Sequence, residues 1–212
     1  MREDSNTKKY SDKNSSELYE LLLDVIFGMI IATSWNNNKA ILFDPNTFKF
    51  EAFTLLLVYV TVVAGWIGYH FIIKKRPDIN PYIFFIDLVI LFLYWYLVNS
   101  VGFFSIIIML LPMIFVFILL WDIVYDISLY KSVTRPRTDP QSHLKVMRGW
   151  IASHWIRIIF LALFIVQALI YFNIENDFKS NLLYGRPIID WATCSTSLIM
   201  VIAYSKDVRR GI

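Results

Sequence analysis

Six stretches of this chain are long and apolar enough to cross a lipid bilayer, and they leave little room for anything else. They run Leu18 to Trp35, Ala52 to Ile73, Tyr82 to Val98, Val101 to Tyr130, Trp150 to Phe172 and Ile188 to Tyr204. A hydrocarbon core about 30 Å thick needs roughly 20 apolar residues in helical form. Inside lipid a lone segment satisfies its backbone groups only by coiling into a helix. The sequence therefore predicts an all-α fold, a polytopic membrane helix bundle with six transmembrane helices. The hydrophobic share of 57%, against about 45–50% in a soluble domain, fits that reading. Within 212 residues it leaves no separate soluble domain, so function must reside in the bundle or in its assembly.

The chain divides into a polar segment at 1–16, the six-helix domain at 17–206 and a short tail at 207–212. The opening MREDSNTKKYSDKNSS mixes both signs of charge and lacks an apolar core, so it does not read as a signal peptide. The first helix is expected to be its own insertion signal, in the cell (inner or plasma) membrane. One cysteine, Cys194, excludes an internal disulfide and a cysteine-cluster metal site. No metal site and no cofactor is expected. The primary partner is the bilayer, and no nucleic acid is expected to bind.

Orientation follows from the basic residues, which accumulate on the cytoplasmic side. Arg2, Lys8, Lys9 and Lys13 precede the first span. Lys74, Lys75 and Arg76 follow the second. Lys131, Arg135, Arg137, Lys145 and Arg148 follow the fourth, and Lys206, Arg209 and Arg210 follow the sixth. The alternate connections hold only Lys39, Lys49, Lys179 and Arg186. Both termini are therefore expected in the cytoplasm. Asn99-Ser100-Val101-Gly102 predicts a tight hairpin between the third and fourth spans. Pro112 lies within the fourth, where a missing backbone donor predicts a kink. The long basic connection after the fourth span is read as topogenic and close to anionic headgroups.

Ionisable residues inside spans cost at least a few kcal/mol unless paired or hydrated. Counting 1.5 Å per residue from the cytoplasmic ends puts Asp24 roughly 10 Å deep, Asp87 about 9 Å, and Asp122 and Arg157 about 13 Å. His70 and His154 lie nearer the same surface. This shared depth predicts that Asp24, Asp87 and Asp122 surround Arg157, with His70 and His154 at the edge. Glu20 with Asp24, and Asp122 with Asp126, are spaced so that each pair shares a helix face. Three carboxylates against one guanidinium leave a charge deficit to be met by a proton, water or a bound cation. The alternative reading is a polar network that only locks helices together. In the outer half, Asp190, Thr193 and Ser197 form a stripe on the sixth span that suits close packing or a polar path, and Gln167 is placed to join it. Thr61, Gly65 and Gly68 form a small-residue stripe on the second span that reads as packing.

No catalytic residues are identified. The chain has no HExxH, no phosphate-binding glycine loop and no Ser, His and Asp set at a recognisable spacing. The Arg-x5-His spacing of Arg137 with His143 and of Arg148 with His154 arises readily by chance. The chain does not read as an enzyme.

Glu20-Leu-Leu-Leu-Asp24-Val-Ile-Phe-Gly28-Met-Ile-Ile-Ala-Thr33 resembles the first-helix signature of the prokaryotic six-helix relatives of the endolysosomal potassium channel. Asp24 matches the motif aspartate and Gly28 a small position one turn later, while Leu22 and Leu23 stand where that family has Phe and Ser. A similar string opens proteins of the low-temperature-requirement family. The first resemblance implies a homo-oligomer, a tetramer favoured, that conducts monovalent cations such as potassium. Its first helices would line the pore and apolar rings near Met29 and Thr33 would gate it. Two other functions compete: a proton- or ion-coupled carrier that uses the buried carboxylates and Arg157, and a non-conducting anchor or membrane-disrupting effector of a stress or antiviral defence system.

Overall fold

The structure is a computed structural model that describes residues 4–43, 50–73, 81–133, 140–173, 182–183 and 186–210. Six helices account for nearly all of them: α1 (Asp4–Phe43), α2 (Phe50–Ile73), α3 (Pro81–Asn99), α4 (Phe104–Val133), α5 (Pro140–Asn173) and α6 (Ile188–Arg210). Each contains a segment long and apolar enough to span a bilayer: Glu17–Ile41, Phe50–His70, Pro81–Asn99, Phe104–Tyr125, His154–Asn173 and Ile188–Ser205. The expected all-α six-helix bundle is what the chain forms.

The helices outrun their apolar stretches in places. α1 already begins at Asp4, so residues 4–16 continue the first helix as a polar extension. α4 carries on to Val133 and α5 starts at Pro140, which turns most of the long basic connection into helix. Polar residues still gain backbone hydrogen bonds by prolonging a formed helix, because nucleation has already been met. Pro81 and Pro140 open α3 and α5, the position where a missing N–H leaves no intrahelical bond unmade. α4 runs continuously through Pro112. Between α3 and α4 the chain turns within Ser100 to Gly102, and Phe103 N donates to Ser100 O at 2.8 Å. That is the hairpin expected from Asn99-Ser100-Val101-Gly102. A short antiparallel ladder of β1 (Leu182–Leu183) with β2 (Arg186–Pro187) precedes α6.

The helices close into a ring in the order α1, α3, α4, α5, α6, α2, and α2 also touches α3 behind α1. α1 is thus held by α2 and α3, on the far side of the ring from α5. Lipid solvates apolar side chains as well as a protein core does, so cohesion comes from close packing and interhelical hydrogen bonds. Gly65 of α2 supplies such an approach: any Cβ there would run into the Tyr94 ring of α3. Leu57, Val58, Val62, Leu97, Ile107 and Ile114 are fully buried where α2, α3 and α4 meet. Phe115 of α4 joins Phe164 of α5 and Tyr204 of α6, with ring centroids 4.5 and 4.8 Å away. At the other end of the bundle, Phe50 packs edge-on against Phe104 and Trp191. There the Arg186 guanidinium lies over Phe50 and pairs with Glu51.

Candidate functional site: charges and a cavity within the bundle

One end of the bundle gathers the closing turns of α2, α4 and α6 with the opening turns of α3 and α5, and the ionisable residues of the spans concentrate there. Arg157 of α5 donates from Nη1 to Oδ2 of Asp122 on α4. Asp122 is buried and the arginine side chain is 21% exposed, so a charge-assisted bond crosses the α4–α5 seam in an environment poor in water. Asp87 of α3 accepts hydrogen bonds from the phenols of Tyr19 on α1 and Tyr69 on α2, the second at 2.9 Å. Asp24 of α1 accepts from Trp66 Nε1 at 3.0 Å. His70 Nε2 lies 3.4 Å from Asp24 and 3.6 Å from Glu20, and its ring packs on Trp66 at 4.9 Å.

The expected single cluster is therefore divided. Asp122 holds Arg157 and Asp87 faces the same interior space. Asp24 turns to Trp66 and His70 because its helix neighbours α2 and α3 and not α5. His154 is buried one turn before Arg157, and Glu20 joins Asp24 at His70 as the i, i+4 spacing required. The side chain of Asp126 lies outside the described residues. What the sequence did not disclose is the role of Tyr19, Tyr69 and Trp66. Neutral O–H and N–H donors meet carboxylate lone pairs without adding charge, whereas the sequence pointed to a proton, water or a cation. The one available signal was Trp66 with His70, four residues apart and so on one face of α2.

On α6, Asp190, Thr193 and Ser197 are all buried. Gln167 of α5 donates to Thr193 O at 2.7 Å and to Thr196 Oγ1 at 2.6 Å, and accepts from Ser197 Oγ at 3.2 Å. Asp190 sits beside Tyr171. The stripe is thus knitted into the α5–α6 seam. Thr61 returns its hydroxyl to Leu57 O at 2.8 Å, and with Gly65 it belongs to the packing of α2.

Met29 and Thr33 lie on the outward face of α1, as do Leu18, Leu22 and Val25, while Leu23, Phe27, Ile30 and Ser34 point into the bundle. A Cβ added at Gly28 would meet nothing within 4 Å, so that glycine has no packing duty inside the bundle.

A cavity of about 80 Å³ lies at the charged end, walled by all six helices. Asp87, Asp122 and Arg157 line it together with aromatic rings from α2, α3, α4 and α6. Among the described residues no group of three or more His, Cys, Asp or Glu side chains could hold a metal ion.

Six helices of spanning length around a partly charged interior define an integral, multi-pass membrane protein. Comparison with protein-family models, with curated proteins and with solved structures finds no match.

Proposed function

We propose that the chain assembles into a homo-oligomer that conducts monovalent cations through a pore lined by α1. The observation that carries this reading is the outward face of α1. Met29 is 64% exposed, Thr33 is exposed beside it, and Gly28 between the turns is open on its Cβ side. A residue that narrows a shared pore has to point away from its own subunit, and these do. The first-helix resemblance adds the expectation of a tetramer and of potassium as an ion. On this chain Asp24 would serve as a positioning residue, anchoring α1 to Trp66 and His70 of α2, with Met29 one turn further on the exposed face.

An apolar constriction blocks ions by dewetting, so a polar side chain there should raise leak. Met29→Asn is expected to increase cation flux from liposomes several-fold, while Leu56→Asn, exposed on α2, leaves it unchanged. Unaltered flux from an intact Met29→Asn oligomer would overturn the helix-one pore. A second reading, an ion-coupled carrier, is favoured by the cavity with Asp87, Asp122 and Arg157 inside each subunit. A protein that is monomeric in detergent yet transports ions would decide for it.

A further inference from the structure

We infer that the cavity between the helices is a binding site for a small uncharged molecule with a hydrogen-bonding oxygen, of the alcohol or ketone class. The site is separate from the proposed helix-one pore, because α1 contributes to the cavity wall through Phe27, on its inward face.

Tyr94 carries the inference. Only 2% of the residue is exposed, and it walls the cavity with its hydroxyl laid against Gly65, another wall residue. Glycine at position 65 is what leaves room for the hydroxyl there. That hydroxyl makes no hydrogen bond to any described residue. Its neighbours in the wall differ: Tyr69 donates to Asp87 at 2.9 Å, and Ser205 to Ile202 O at 2.8 Å. A buried phenol without a partner has given up its hydration and gained nothing in return. A guest oxygen that accepts from Tyr94 Oη recovers that loss.

The guest is uncharged. An ion taken from water into a space of low dielectric needs a partner of its own to repay the desolvation. The ionised groups of the wall are already engaged, Arg157 with Asp122 and Asp87 with the phenols of Tyr19 and Tyr69. A cation or an anion would have to break one of these bonds to be held. A neutral molecule leaves all of them in place.

The rest of the wall sets body and size. Phe27, Trp121 and Tyr204 present rings and Ile90 and Ile118 present alkyl groups, so the guest carries a hydrocarbon body behind its oxygen, the combination of apolar wall and few polar anchors that small-molecule sites use. An apolar cavity of about 150 Å³ admits benzene. At 80 Å³ this one suits a guest of roughly four or five heavy atoms, the size of acetone or tert-butanol.

The test is thermal unfolding of the purified protein in detergent, titrated with tert-butanol, with tetramethylammonium chloride as a charged molecule of nearly the same shape. The midpoint is expected to rise saturably with tert-butanol and not with tetramethylammonium. Alcohol also enters the micelle, so the readout is the difference between the parent and Tyr94→Phe, which removes the hydroxyl and keeps the ring. Tyr94→Phe should weaken the apparent affinity about five-fold or more. Ile118→Phe, which takes up space in the cavity, should abolish the response. Should either variant fail to fold, the other decides. An equal saturable rise in the parent and in Tyr94→Phe would reduce the cavity to an apolar void. An equal rise with tetramethylammonium would show that charge is accepted, and no saturable response would mean that water alone fills the space. Each of these results overturns the site.

Discussion

Arg157 and Asp122 illustrate what a charge inside a membrane demands of its neighbours. Removing one partner of a buried pair leaves the other charge uncompensated, at a cost of about 3–5 kcal/mol. Arg157→Ala should therefore lower the unfolding midpoint sharply and reduce the yield of folded protein. Adding Asp122→Asn removes the stranded charge and should restore much of the loss. Adding Asp24→Asn instead should restore nothing, because Asp24 answers to Trp66 and His70. Parent-like stability in Arg157→Ala alone would mean that the pair is hydrated. Gly65 and Gly28 give a second contrast between residues of one type. Gly65→Ala forces a methyl group into the Tyr94 ring and should destabilise by about 1–3 kcal/mol, as overpacking does. Gly28→Ala meets open space and should leave subunit stability unchanged, so a change in oligomeric state would locate Gly28 between subunits. That Arg157 required a carboxylate was legible in the sequence, because the insertion cost of a charge is a property of the residue and its span. Which carboxylate answers was not legible, since that depends on which helices are neighbours.

The helices themselves were easier to read than their ends. An apolar run of spanning length has one low-energy form in lipid, so all six elements were evident from composition along the chain. The polar extensions of α1 and α5 were not, because no hydrophobic signal marks where a helix stops once it has left the membrane. α5 thus begins at Pro140, ten residues before the apolar stretch at Trp150. The β1–β2 ladder also escaped, since two residues a strand are too few to show an alternating pattern, and so did the pairing of Glu51 with Arg186, which joins residues distant in sequence. The α5–α6 seam offers a test at this scale. Gln167 makes three hydrogen bonds to α6, and Thr196 keeps a bond to Ala192 O without it. Interhelical hydrogen bonds in membranes average only about 0.6 kcal/mol. Gln167→Leu should therefore cost about 1–2 kcal/mol in thermal unfolding and leave ion flux unchanged. A large loss of flux with stability preserved would make the Asp190, Thr193 and Ser197 stripe a conducting path and not a seam.

At the level of the whole molecule, an even number of crossings returns the chain to the side on which it began, so the opening of α1 and the close of α6 share one membrane face with the charged cavity. The distribution of basic residues along the sequence predicts which face of the cell that is: fifteen fall in the two termini and the α2–α3 and α4–α5 connections and four in the alternate connections, a bias that by the positive-inside rule predicts both termini in the cytoplasm. A fluorescent protein that matures only in the cytoplasm, fused after Ile212, should therefore be bright, and a phosphatase that is active only outside should be silent at the same point. The complementary site needs care. Asn37 sits within α1 and bonds to Asn99 across the bundle, and Asn38 bonds to Val98 O, so an insertion there would disturb the α1–α3 contact. A phosphatase inserted instead after Pro45, in the connection between α1 and α2, should be active. The reverse pattern at both points would invert the protein and put the Asp87, Asp122 and Arg157 cavity on the outer side. A phosphatase active at both points would require an odd number of crossings and so remove one of the six spans.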